Sequence, residues 1–108
     1  MEVKTAVTAL AALAQESRLS AFRLLVSAGN DGLTAGEIAE QLEIPPATLT
    51  FHLKELSHAR LIDSQREGRS IRYSIREAGV CELLTYLLND CCNGQPELCG
   101  PNKTRGKR

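Results

Sequence analysis

Apolar residues recur along the first three-quarters of this chain at helical spacing. Thr5 to Ala14 places Val7, Leu10, Ala11 and Ala14 on one helical face. Glu16 to Ala28 continues with Leu19, Phe22, Arg23 and Val26 at three- and four-residue steps. The pattern predicts two short helices broken near Gln15-Glu16, the second ended by the turn signal Asn30-Asp31-Gly32. Thr34-Ala35-Gly36-Glu37 spells a capping box, in which the threonine hydroxyl accepts from the Glu37 amide and the carboxylate reaches back. A third helix is predicted from there to about Leu42, with Ile38 and Leu42 inward.

Ile44-Pro45-Pro46 is a stop followed by a start, because proline is tolerated in a first helical turn, where its missing N–H is not needed. Leu49, Leu53 and Leu56 then share one face of a fourth helix, which leaves Thr48, Thr50, Phe51, His52 and Lys54 for its other faces. A short helix, a tight turn and a longer helix between Thr34 and Ala59 make the profile of a helix-turn-helix. Leu61 to Arg66 and Ser70 to Ile75 alternate with a period of two. Ile71, Tyr73 and Ile75 point one way and Arg72 and Ser74 the other, with Glu67-Gly68-Arg69 as the turn. A hairpin directly after a helix-turn-helix is a winged helix, so the predicted fold is mainly α with a small β-hairpin. Glu77 to Leu88 reads as a final helix carrying Val80, Leu83, Leu84, Leu87 and Leu88. A helix this rich in leucine needs a partner, either the first helix or the same helix of a second subunit. Beyond Asn89 the periodicity fails, and Gly94, Pro96, Gly100 and Pro101 punctuate the chain. One domain over residues 1–90 and a flexible, cysteine-containing tail over 91–108 are expected.

A chain of 108 residues suits one small domain, and burial at this size leaves a thin margin that a second subunit would widen. The longest apolar run, Ala9 to Ala14, is too short to span a bilayer, and no signal peptide follows Met1. A cytoplasmic protein without membrane partners is the expectation. Net charge is zero, but residues 45–76 hold six basic side chains against three acidic, while residues 1–44 hold three against six. The basic middle coincides with the helix-turn-helix and hairpin, which permits a local phosphate-facing surface and argues against a general polyanion binder. Four cysteines, Cys81, Cys91, Cys92 and Cys99, cluster towards the end of the chain; without an export signal they point to metal or thiol chemistry rather than to disulfides.

Ala12-Leu13-Ala14-Gln15-Glu16-Ser17-Arg18-Leu19 followed by Phe22-Arg23-Leu24-Leu25 resembles the opening helices of the ArsR/SmtB metalloregulatory repressors. Ala47 to Leu56 resembles their recognition helix, and Ala59-Arg60-Leu61-Ile62, Glu67-Gly68-Arg69 and Tyr73 resemble their wing. The resemblance runs from about Ala12 to Leu88. It implies a winged-helix homodimer joined through its first and last helices, which represses transcription on double-stranded operator DNA and leaves it when an inducing metal or metalloid binds. The start of the third helix lacks the cysteines found there in many arsenic sensors, and the final helix lacks the histidine ligands of the zinc sensors. The chain resembles instead the subgroup with three arsenite-binding cysteines just beyond the last helix, matched here by Cys91, Cys92 and Cys99.

That assignment suits the chemistry. Soft thiolates select soft ions, and trivalent arsenic or antimony is completed by three sulfurs, whereas zinc takes four ligands and prefers pairs two to four residues apart. Ten residues of helix would put Cys81 about 15 Å from Cys91, so Cys81 is expected to be a packed thiol. In the implied docking, Thr48, Thr50 and His52 face base edges or phosphates, Lys54 a phosphate, and Arg66, Arg69 and Arg72 on the hairpin reach phosphates or the minor groove. Phe51 could meet a thymine methyl or simply pack, and packing is the expectation. Thiol oxidation, another soft metal or a methylated arsenical needing only the adjacent pair are alternative signals. A thiol enzyme or metal chaperone built on the C-x5-R string from Cys99 to Arg105 is a further alternative. It is disfavoured because Pro101 removes an N–H that a phosphate loop needs. The chain is therefore read as a regulator and not an enzyme.

Overall fold

The structure, a computed structural model, describes residues 1–92. Five helices, α1 (Val3–Leu13), α2 (Glu16–Ala28), α3 (Ala35–Leu42), α4 (Pro46–His58) and α5 (Glu77–Cys92), accompany three strands, β1 (Leu33–Thr34), β2 (Ile62–Glu67) and β3 (Ser70–Ile75). The sheet is antiparallel in the order β1-β3-β2. This is a winged helix-turn-helix. The third strand was not legible in the sequence: two residues are too few to show an alternation, and Leu33 and Thr34 become a strand only by pairing with Tyr73 and Arg72.

The predicted capping box is present. The Thr34 hydroxyl accepts from the Glu37 amide at 3.2 Å, and the Glu37 carboxylate accepts from the Thr34 amide at 2.8 Å. The Thr34 amide holds the Glu37 carboxyl below the usual range, so the contact supports α3 fully above that range and fades as pH falls through the lowered value. The α3–α4 turn places Glu43 in the left-handed region at φ 55°, and Pro46 then opens α4.

The centre of the molecule is built from Leu25 of α2, Ile38 of α3, Leu49, Leu53 and Leu56 of α4, and Leu61 just beyond it, all fully buried. Tyr73 closes the core from the sheet. Helix α1 turns differently from what its larger side chains suggest. Ala6, Ala9 and Ala12 are its buried positions, while Val3, Val7 and Leu10 are exposed. Alanine has no bulk to hold a neighbouring backbone away, so α1 lies close against α2 and α4 and keeps its branched residues outside. Leu84 of α5, which packs against α1, is likewise exposed. In α2 the buried positions are Ala21 and Leu25, one step from the stripe of Leu19 and Val26 that remains outside.

Helix α5 continues past the predicted end at Leu88 and includes Cys91 and Cys92. Cys99 and the remainder of the predicted tail lie outside the described residues. Among the described residues no helix is long and apolar enough to cross a membrane.

Gly32 tests how tightly the sheet is held. Its φ is 66°, and a Cβ there would strike the Tyr73 carbonyl oxygen, whereas Gly29, at φ 70°, has open space around it. Gly32→Ala is expected to cost about 1–3 kcal/mol more than Gly29→Ala in urea denaturation, because both share the backbone strain and only Gly32 adds a clash with the ladder.

Candidate nucleic-acid interface

Helix α4 divides into two faces by simple rotation. Leu49, His52, Leu53 and Leu56 follow i, i+3, i+4, i+7 spacing and are all buried. Ala47, Thr50, Phe51 and Lys54 follow the same spacing two residues earlier, about 200° round the axis, and all four are exposed, as is Thr48 beside them. The outward stripe is thus mixed: two small residues, one aromatic ring and one ammonium. Its donors are constrained, because the Thr50 hydroxyl donates to the Pro46 carbonyl at 2.9 Å. Thr50 therefore offers a methyl group and oxygen lone pairs, and Thr48 and Lys54 carry the side-chain donors of this surface.

His52 is the main departure from expectation. It is 9% exposed and lies on the leucine face. Arg18, in the first turn of α2, reaches it: the guanidinium Nη1 lies 3.2 Å from His52 Nδ1, and its Nε donates to the Ala12 carbonyl of α1 at 2.7 Å. A guanidinium only donates, so Nδ1 accepts and the ring proton sits on Nε2. One arginine thereby ties the end of α1 to the middle of α4. His52 is not available to base edges; its role is to hold the helix that is. The signal was in the sequence, since His52 falls three residues after Leu49 and four before Leu56, but its polarity suggested the other face.

Phe51 reverses in the opposite sense. It was expected to pack, yet it is 57% exposed, touching the His52 ring edge-on with centroids 5.7 Å apart. Cys81, expected to be packed, is also exposed.

On the hairpin, Arg66 and Arg69 are exposed at the tip, Arg66 folding weakly over the Gly68 carbonyl at 3.4 Å. Arg72 is engaged. Its Nε lies 3.1 Å from both Glu67 carboxylate oxygens, and its Nη1 donates to the Asp31 and Gly32 carbonyls at 3.2 and 3.4 Å. The hydrogen bond to Glu67 raises its already high pKa further. Arg72 thus joins β3 to the turn before β1, and the freer cations of the wing are Arg66 and Arg69. Among the described residues no cluster of three or more potential metal ligands occurs. The side chains of Cys91 and Cys92 and the whole of Cys99 fall outside that description.

Arg18→Ala removes the partner of a buried ring nitrogen and of a helix-end carbonyl together. It is expected to lower stability by about 1–3 kcal/mol in chemical denaturation. Arg23→Ala, on the exposed side of the same helix, should change it by no more than about 0.5 kcal/mol.

Comparison with known proteins agrees with this geometry. Residues 13–65 match the family model of a helix-turn-helix domain. The transcriptional repressor SdpR of Bacillus subtilis is 32% identical over 66 residues, which cover 61% of this chain and 73% of that protein. The HTH-type transcriptional regulator YgaV of Escherichia coli is 31% identical over 87 residues, covering 81% and 86%. An ArsR-like transcriptional regulator from Rhodococcus sp. RHA1 shares the fold, with a TM-score of 0.72 over 97% of this chain and 96% of that one at 22% identity. These relatives are transcriptional regulators and not enzymes, which removes the thiol-enzyme alternative. A helix-turn-helix whose second helix presents a free, partly basic face, followed by a wing, places this chain among the winged-helix, HTH-type transcriptional regulators.

Proposed function

We propose that this regulator is a homodimeric repressor that holds operator DNA in its metalloid-free state and releases it when trivalent arsenic or antimony is bound by Cys91, Cys92 and Cys99. The observation that carries the inducer is the clustering of three thiols within nine residues, beginning at the last turn of α5. Three sulfurs satisfy a three-coordinate metalloid, and an adjacent pair followed by a six-residue spacer lets a turn at Asn93-Gly94-Gln95-Pro96 bring the third sulfur back.

The DNA half of the reading rests on α4 and the wing. Thr48 and Lys54 supply donors to base edges and phosphates, Thr50 a methyl group and an acceptor, and Arg66 and Arg69 phosphate contacts from the hairpin. Arg72 acts mainly by bracing the wing. The α4 N-terminus has no side-chain cap, so its first-turn amides also suit a phosphate.

The dimer half rests on the exposed Val3, Val7 and Leu10 of α1 together with Leu84 of α5. Two such faces bury one another around a twofold axis and set the separation of the two reading helices. A route from thiols to DNA is then contiguous. Cys91 and Cys92 lie in α5, α5 packs on α1, and Arg18 ties the end of α1 to His52 in α4. Metalloid binding that shifts α5 against the dimer face would move α4 through that tie.

Two experiments test this reading. In fluorescence anisotropy under reducing conditions, arsenite should release the wild-type protein from duplex operator DNA, while zinc should not. Cys91→Ser/Cys92→Ser should bind DNA as before and lose the arsenite response; release that persists in this variant contradicts the site. Cys99→Ser should abolish the arsenite response as well, whereas a response to methylated arsenicals that survives it would identify a two-thiol sensor. In sedimentation equilibrium, Val7→Glu should convert dimer to monomer and weaken DNA binding at least tenfold, without loss of helical circular dichroism.

A further inference from the structure

Phe51 is a large apolar side chain at the centre of an otherwise polar, exposed stripe, and the fold has no use for it. It is 57% exposed, while its helical neighbours Leu49, Leu53 and Leu56 are fully buried. Its ring is nevertheless not free to wander. It stands edge-on against His52, at 62° between planes, and His52 is itself fixed by Arg18. The result is an apolar knob projecting from the first half of the second helix of a helix-turn-helix, flanked by Thr50 at one side and Lys54 one turn further on.

Resting on the reading of α4 as the helix that enters the major groove, we propose that Phe51 determines sequence specificity by contacting the C5-methyl group of a thymine in each half-site. The major groove offers hydrogen-bond acceptors on both purines and a donor on cytosine, and a phenyl ring can answer none of them. The thymine methyl is the apolar feature of that surface. Thr50 reinforces the choice: its hydroxyl proton is committed to Pro46, so the pair Thr50–Phe51 presents a methyl and a ring with no donor between them. A G·C pair at this position would present polar acceptors and a donor and no methyl group. The isolation of Phe51 also fits a point contact with one base better than a protein interface, since the other exposed large apolar residues lie on α1, α2, α5 and the N-terminal Met1.

The test begins by selecting duplexes bound by the wild-type protein from a random pool at fixed salt. Selected duplexes are then titrated with each thymine replaced singly by deoxyuridine, which removes only the methyl group. One thymine per half-site should emerge at which deoxyuridine weakens wild-type binding about fourfold, the value of one buried methyl. Phe51→Ala should bind thymine and deoxyuridine duplexes equally at that position, and Phe51→Leu should keep part of the difference. The side chain lies outside the core, so both variants should keep the wild-type denaturation midpoint. The inference is overturned if the selected sequences share no thymine, if no deoxyuridine weakens the wild type, or if Phe51→Ala suffers the same loss as the wild type. A wild-type protein that enriches no sequence from the pool would instead overturn the DNA-binding reading on which this one stands.

Discussion

The seating of α4 is the constraint on which the rest of this molecule depends. Leu49, Leu53 and Leu56 have no measurable exposure, and each contributes on the order of 1.5–3 kcal/mol by its burial. A helix advances about 100° per residue, so fixing these three fixes every other side chain around the axis. Rotating α4 by one residue would bury Thr50 and expose a leucine, at a cost comparable to a large part of a small domain's stability. The outward stripe is therefore a by-product of core packing, held without any ordering of its own. Arg18 adds a polar lock to the apolar one: its bonds to Ala12 and His52 set the depth of α4 relative to α1.

Much of this was legible in the sequence because the relevant signals are local. The capping box, the proline start of α4 and the alternation of β3 each rest on residues within a few positions of one another, and each appears as read. What was not legible depends on distant partners. Leu33 and Thr34 are a strand only because Tyr73 and Arg72 arrive beside them. The inward face of α1 is its alanine face, since close approach to neighbouring helices favours small residues over branched ones. His52 and Phe51 exchanged roles because chemistry was weighed above spacing. A histidine looked like a ligand for DNA and a phenylalanine like core, whereas rotation about the helix buries the histidine and exposes the phenylalanine.

The wing shows how a chain of zero net charge can still present a cationic edge. Of the three hairpin arginines, Arg72 is spent on Glu67 and on the carbonyls of Asp31 and Gly32, which cross-links the sheet to the turn before β1. Arg66 and Arg69 remain at the tip, beyond that brace. Asp31 and Glu37 of the first half meet Arg72 at the base of the wing, and so the local field, not the total charge, decides which surface meets a phosphate backbone. Such an interface would owe its on-rate and salt dependence to few contacts, and its selectivity to what the α4 stripe can read.

The claim that ties these parts together is that the outward stripe of α4 and the hairpin tip are the surface that meets DNA. Amide chemical-shift mapping by NMR, with a pool-selected duplex titrated into the isotopically labelled protein, tests it most directly. The largest changes should fall on residues 46–54 and 66–69, with the exposed faces of α1 and α5 little affected. Changes concentrated on α1 and α5, with α4 silent, would contradict it.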